Sequence, residues 1–416
     1  LHRLRSPWID SLRVDTLSAA RRRVRLRIAW RADRPPGRAP LEVACDGAVV
    51  LSEPVALPGA RGVIERVLTL RGARLWSPDA PNLHRLRVRL GDDDLAERIG
   101  LREVRTRGRA LLINGKPVTL LGFNRHEGHP QFGHALPWPL LVADVQLLQD
   151  LGVNFVRGSH YPQDPRFLDL CDEAGICVWS EATGWQHTAG QLNDPRFIRA
   201  QKLNLEEMVA QSASHPSVIL WGLLNESASH DPRARRGYKT LIGHLRALDP
   251  GRPVAYACNH PWDDRCLDLA DVVGLNTYPG WYEGELETVP ARLDKVLAHL
   301  ASAPRSRGKP LIVSEIGAEG LYGFRDWNRQ RWSEEYQARL HGIVIDHLFG
   351  GPRRRAAGLA IWMFNDIRAA NNTHRALGRA RGFNNKGVVD EYRRPKLAYA
   401  AVRERFRKLR GLDKKK

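Results

Sequence analysis

The chain has 416 residues, and its 65 Lys and Arg against 46 Asp and Glu give a formal charge of +19. Hydrophobic residues at 43% and charged residues at 27% supply enough apolar material for real cores, which excludes wholesale disorder. No apolar run approaches the roughly 18 residues that a membrane-spanning helix needs, because Arg, Asp or Gly interrupts every hydrophobic stretch.

The first hundred residues carry a period of two. In Arg23–Trp30 and in Leu83–Leu90, apolar side chains fall on one face and mostly polar ones on the other, which predicts half-buried strands. Leu41–Cys45 and Val63–Leu70 lie between them, separated by turns such as Asp33-Arg34-Pro35-Pro36-Gly37. Several short strands at this spacing predict a small immunoglobulin-like β-sandwich over residues 1–104.

From about Arg105 short apolar runs alternate with helical patterns. Eight runs can be counted: Val118–Phe123, Val153–Val156, Ile176–Trp179, Val218–Leu224, Val254–Ala257, Val272–Leu275, Leu311–Val313 and Leu359–Phe364. Their nearly unbroken apolar character implies burial on both faces. Amphipathic stretches separate them, at 139–151, 164–174, 194–211, 238–248 and 289–300. Strand and helix repeating eight times predict an α/β chain whose residues 105–416 form a (β/α)₈ TIM barrel.

Polar or aromatic residues follow each run: Asn124 to Glu127, Arg157 and His160, Glu181, Asn225 and Glu226, Asn259 and His260, Asn276 and Tyr278, Ser314 and Glu315, Asn365 and Asp366. A barrel gathers its C-terminal strand ends on one rim, where its active site is built. Glu226 and Glu315 end strands four and seven in this count, facing each other across the barrel mouth. Glycoside hydrolysis needs such a pair, one carboxyl to protonate the leaving oxygen and one carboxylate to meet the developing oxocarbenium ion. Rim carboxylates paired with nearby arginines would be the plainer explanation of two isolated dipeptides.

The surrounding words favour chemistry. Residues 214–227, Ser-His-Pro-Ser-Val-Ile-Leu-Trp-Gly-Leu-Leu-Asn-Glu-Ser, resemble the acid/base signature of glycoside hydrolase family 2, and residues 309–319 resemble its nucleophile signature. Leu75-Trp76-Ser77-Pro78, Asn124-Arg125-His126-Glu127 and Ser159-His160-Tyr161-Pro162 extend the likeness over nearly the whole chain. The resemblance implies a retaining β-glycosidase with Glu226 as acid/base and Glu315 as nucleophile. It further implies Asn225 on the sugar 2-hydroxyl and Tyr278 holding the nucleophile; Trp362, near the end of the eighth strand, would offer a stacking face to the ring, and His160 is expected among the sugar-binding residues.

Two subgroups are echoed. Asn384-Asn385-Lys386-Gly387 and the later Arg394-Pro395-Lys396 resemble the β-glucuronidase pattern, in which Asn384 and Lys386 would grip the sugar carboxylate. Asn124 to Pro130 resembles the β-galactosidase segment that supplies magnesium ligands, with Glu127 and His129 at the ligand positions and Glu226 as a third. The expectation is therefore a β-glucuronidase-like enzyme acting on a terminal uronic acid, with a β-galactosidase as alternative. A non-catalytic carbohydrate-binding protein is the alternative of another class. No cofactor is required, and Mg²⁺ is the metal that the segment with Glu127 and His129 suggests.

The remaining expectations concern charge and compartment. The basic residues are mostly Arg scattered along the chain, so they read as solvent faces and no nucleic-acid or membrane partner is expected. Only Arg403 to Lys416 clusters positive charge, and it reads as a frayed end. Five cysteines without a CxxC pair read as reduced, mostly buried thiols, favouring a cytoplasmic protein. A signal peptide, or the jelly-roll domain that the resemblance places before the sandwich, would precede Leu1. A homo-oligomer is compatible with these features.

Overall fold

The structure is a computed structural model describing residues 6–352, 354–369 and 379–414. Strands Trp8–Ser18, Arg23–Arg31 and Arg61–Thr69 form one antiparallel sheet in that order. Ala48–Leu57, Gly37–Cys45, His84–Leu90 and Asp93–Ile99 form a second. Every second residue of Arg23–Arg31 and His84–Leu90 is buried. Val24, Leu26, Ile28 and Trp30 of one sheet thus share a core with Leu41, Val43, Leu86 and Val88 of the other. The intervening arginines pair across strands on the outer faces, as Arg27 does with Glu65 at 2.9 Å and Arg87 with Asp94 at 2.8 Å.

Val104–Arg107, Ala110–Ile113 and Lys116–Val118 form a small sheet of their own. The expected first barrel run is therefore split: Val118 ends this sheet, and the barrel strand is Leu120–Arg125. Val104, Leu111 and Ile113 join one apolar cluster with residues of the barrel strands, including Leu120, Phe155, Ile219, Ala255, Val272 and Ile312.

The eight barrel strands are Leu120–Arg125, Phe155–Gly158, Cys177–Glu181, Val218–Gly222, Val254–Cys258, Val272–Asn276, Leu311–Glu315 and Gly358–Ile361. They close in chain order, all parallel, with Leu120 of the first in register with Gly358 of the eighth. Each overlaps one of the expected runs. The expected helices form as Trp138–Asp150, Pro165–Ala174, Pro195–Ser212, Arg235–Leu248 and Val289–Ser302. Local chemistry sets their ends. Asp164 accepts the backbone N–H of Arg166 at 2.8 Å, Pro165 opens the first turn, and Gly175 closes the helix with a φ of 69°.

Two expectations need correction. The basic tail is not frayed up to Arg410, because Leu397–Arg410 is a helix that buries Ala398, Tyr399, Val402 and Phe406. Their helical spacing makes an apolar stripe, while Arg403, Arg405 and Arg407 pair with Asp150, Asp346 and Asp413. Nor do all arginines lie on solvent faces: Arg102, Arg125, Arg157, Arg252 and Arg393 are buried. Arg102 crosses from the two-sheet unit to the barrel, donating to the carbonyls of Pro216 at 3.0 Å and Val218 at 2.9 Å.

Candidate active site

Strand register places the polar residues. Asn124 lies beside Arg157, and Asn276 beside Glu315, so four strand ends contribute side chains at one level. Arg157 is buried and connects them. It donates to both oxygens of Glu181 at 2.8 and 2.9 Å, and at 2.8 Å to each of Asn124 Oδ1, Glu315 Oε1 and Asn225 Oδ1. Its guanidinium lies 5.1 Å from the ring centroid of Trp179. Burial opposes a charge on Glu181, yet Arg157 and then His160 hold its carboxyl below the usual carboxylate range.

Glu315 is 4% exposed, and its second oxygen accepts the Tyr278 hydroxyl at 2.7 Å. Burial, then the charge of Glu226, push this carboxyl above its ordinary value; Arg157, His160 and Tyr278 act the other way. The Tyr278 hydroxyl is driven well up by burial and by the charge of Glu315, so it remains a donor. Glu226 takes up a left-handed backbone at φ 46°, with its N–H held by the Ala257 carbonyl at 2.9 Å. Its carboxylate accepts Asn276 Nδ2 at 3.0 Å and Gln186 Nε2 at 3.2 Å. Asn276 also donates to Asn225 Oδ1 at 3.2 Å and accepts the Ser314 hydroxyl at 2.7 Å. The chain Glu226–Asn276–Asn225–Arg157–Glu315 therefore links both carboxylates through hydrogen bonds.

His160 bonds Glu181 through Nδ1 at 3.0 Å and stacks on Trp362, with centroids 5.3 Å apart and planes 19° apart. Trp362 is 7% exposed, with His126 edge-on against it.

Lys386 is 1% exposed and donates to Glu319 Oε1 and the Tyr282 hydroxyl, each at 3.1 Å. Its ammonium lies 5.9, 5.3 and 5.0 Å from the ring centroids of Tyr278, Trp281 and Tyr282. Against burial, Lys386 and then Arg379 hold Glu319 below the usual carboxylate range. Beneath this loop Lys396 donates to Asp366 at 2.8 Å, to the Gly320 carbonyl at 2.7 Å and to the Asn385 carbonyl at 3.0 Å. Asp366 accepts the Gly387 N–H at 2.8 Å. Asn385, the neighbour of the expected residue, binds Glu319 at 3.2 Å. Asn384 Oδ1 is buried with no partner among the described residues.

The structure brings Glu226, Glu315, Asn225 and Tyr278 into this network, joins His160 to it through Glu181, and stacks Trp362 on His160. It does not assemble the expected metal ligands. Glu127 accepts Arg125 at 3.1 Å and the Asp164 N–H at 2.8 Å, and His129 Nδ1 accepts the Gln131 N–H at 3.2 Å. Among the described residues, no group of three close ligand atoms contains Glu127, His129 or Glu226. A buried guanidinium beside Glu127 further disfavours a cation, so these residues do not fit Mg²⁺. Arg157, Glu181 and Asn276 appear in the sequence as polar strand ends, without a role. Gln186 and Tyr282 carry no sequence signal of their own.

Fold and site together define an α/β barrel whose C-terminal rim carries two carboxylates linked through one arginine. Residues 104–410 match the family described as glycosyl hydrolases family 2, TIM barrel domain, and the chain belongs to that family. It is 35% identical over 365 residues to the β-glucuronidase of Chlorocebus aethiops, an alignment covering 83% of this chain and 55% of that relative. For the β-glucuronidase of Homo sapiens the identity is 35% over 316 residues, covering 75% and 47%. The chain thus spans about half the length of the curated relatives it matches. Among solved structures, a family 2 β-galacturonidase from Eisenbergiella tayi bound to galacturonate has a TM-score of 0.91 at 35% identity, covering 97% of this chain and 73% of that one. The β-D-glucuronidase of Dictyoglomus thermophilum has a TM-score of 0.83 at 28% identity, covering 97% and 69%.

Proposed function

We propose that this chain carries the active site of a retaining β-glycosidase that releases a terminal β-linked uronic acid. Glu226 gives its proton to the leaving oxygen while Glu315 attacks the anomeric carbon, forming a glycosyl ester. Glu226, now ionised, then takes a proton from water as the water oxygen displaces Glu315. Asn225, whose carbonyl oxygen is occupied by Arg157 and Asn276, keeps its N–H₂ for the sugar 2-hydroxyl. The preceding two-sheet unit, through residue 104, we assign to the immunoglobulin type.

The observation that carries the uronic acid is Lys386, a buried cation beside the tyrosine that holds Glu315. Its ammonium has three N–H donors, of which Glu319 and Tyr282 take two, leaving one for a carboxylate. The β-glucuronidase relatives and the galacturonate-bound neighbour support this reading, and the latter favours a second one in which the sugar is galacturonate. A β-galactosidase loses support, because its metal ligands do not meet. Aryl glucuronide, galacturonide and galactoside should be assayed with and without EDTA. One of the two uronides should be cleaved, EDTA should have no effect, and Lys386→Ala should raise its KM far more than that of a galactoside. Galactoside cleavage lost on chelation would overturn the reading.

A further inference from the structure

We infer that Trp185 is the platform on which the leaving group rests, selecting substrates whose aglycone is an aromatic or sugar ring with a flat face. The inference builds on the assignment of Glu226 as acid/base. The leaving oxygen must come within hydrogen-bond reach of that carboxyl, about 2.6–3.2 Å, so the leaving group lies beside Glu226 and away from Glu315. On the Glu315 side, Glu226 Oε1 meets Asn276, which continues through Asn225 to Arg157. Its other oxygen meets Gln186, which makes the 185–187 segment the wall on the leaving-group side.

That wall is fixed to the strand end that bears Glu226. Trp185 forms a bridge with Asn225, Gln186 donates its N–H to the Asn225 carbonyl at 2.8 Å, and Ala228 donates to the His187 carbonyl at 2.9 Å. The His187 N–H bonds the Ser227 hydroxyl at 3.1 Å, and Gln186 takes a left-handed φ of 56° to complete the turn. Trp185 cannot leave the acid's side without breaking this seam. One side of its indole packs on His160, with centroids 5.5 Å apart and planes 38° apart. His160 in turn stacks on Trp362. Trp362 is 7% exposed and Trp185 45%, so this aromatic row runs outward from the sugar pocket and offers its open ring at the outer end. An indole presents a large, rigid, apolar face at low entropic cost, suited to a ring stacked against it.

The test compares substrates that share a sugar and differ in what leaves. An aryl glycoside and a disaccharide would rest on Trp185; a glycosyl fluoride has nothing to rest there. Trp185→Ala should lower kcat/KM for the first two by roughly 3–10-fold, the size of an aromatic stacking contact, and lower it for the fluoride by clearly less, since the fluoride feels only the packing lost from His160. Trp185→Phe should keep most of the activity toward ring aglycones. Trp185→Leu, which fills the space without a flat face, should behave as the alanine variant and guards against a folding artefact. Equal losses on fluoride and aryl glycoside, or no loss on the aryl glycoside, would overturn the platform while leaving the glycosidase reading intact. Failure of the wild type to cleave any uronide, galactoside or glycosyl fluoride would instead remove the reading on which the platform rests.

Discussion

Arg157 has five N–H donors in a fixed plane, and each meets an acceptor: two on Glu181 and one each on Asn124, Glu315 and Asn225. It thereby aligns the candidate nucleophile with the residue that would meet the sugar 2-hydroxyl. Lysine keeps the charge but has three donors on one atom and cannot span these acceptors. Arg157→Lys should therefore lower kcat by about 10²-fold or more, since misplacing a reacting group by about 1 Å costs that much. Circular dichroism should be unchanged, because Glu181 keeps a counter-charge. A kcat near the wild-type value would show that Glu315 is aligned by other means. The words around Glu226 and Glu315 made those two legible in the sequence, and position after an apolar run made Asn225 and Tyr278 so. Arg157 stood equally plainly at a strand end. Its role was hidden because its acceptors lie 24 to 158 positions away, and only barrel closure decides which of the many rim polar groups meet.

At the scale of elements, the alternation of buried strand and amphipathic helix was strong enough to give all eight barrel strands. The small sheet between the two larger units was missed although its signal was present. Asn114 and Gly115 have φ of 51° and 78°, the left-handed pair of a tight hairpin turn, and Asn-Gly is the dipeptide that adopts it most readily. Packing within the barrel was not legible at all. Trp179 fills the interior only because two other strands carry glycine there: a Cβ on Gly222 would lie 1.9 Å from its Nε1, and one on Gly274 would lie 2.7 Å from its Cη2. Gly222→Ala should force the indole aside and cost about 1–3 kcal/mol, as overpacking of a close-packed core does. The shift should appear as a lower urea midpoint. Because Arg157 lies against the same ring, kcat should fall as well. A variant as stable as the wild type would mean that the barrel interior yields more than this geometry allows.

For the whole molecule, sequence periodicity separated the two large units but gave no account of how they meet. Trp76, His215 and Pro216 stand in words that resemble the family, but nothing in the sequence says that they meet. Trp76 donates its indole N–H to the Asp172 carbonyl at 2.9 Å, Arg98 pairs with Asp169 at 2.9 Å, and a Cβ on Gly100 would lie 2.7 Å from Pro216. His215 sits in the same seam, its Nδ1 2.7 Å from Asp172 and 4.0 Å from Asp169. Burial alone would disfavour its charge. The hydrogen bond its Nδ1–H donates to Asp172, and the charges of Asp172, Asp169 and Glu97 of the two-sheet unit, outweigh burial and raise its pKa above the ordinary 6.5. A histidine whose pKa is higher folded than unfolded stabilises the fold fully below the unfolded value. That contribution is lost as pH rises through the folded value, so the seam should weaken on the alkaline side of 6.5. Thermal unfolding followed at about pH 6 and about pH 8, on either side of the ordinary imidazole value, tests this directly. The wild type should lose stability between the two more than His215→Gln does, because glutamine keeps a donor for Asp172 but has no charge to lose. An identical pH dependence in the two proteins would place the titrating group elsewhere and leave the seam to Trp76, Arg98 and Arg102.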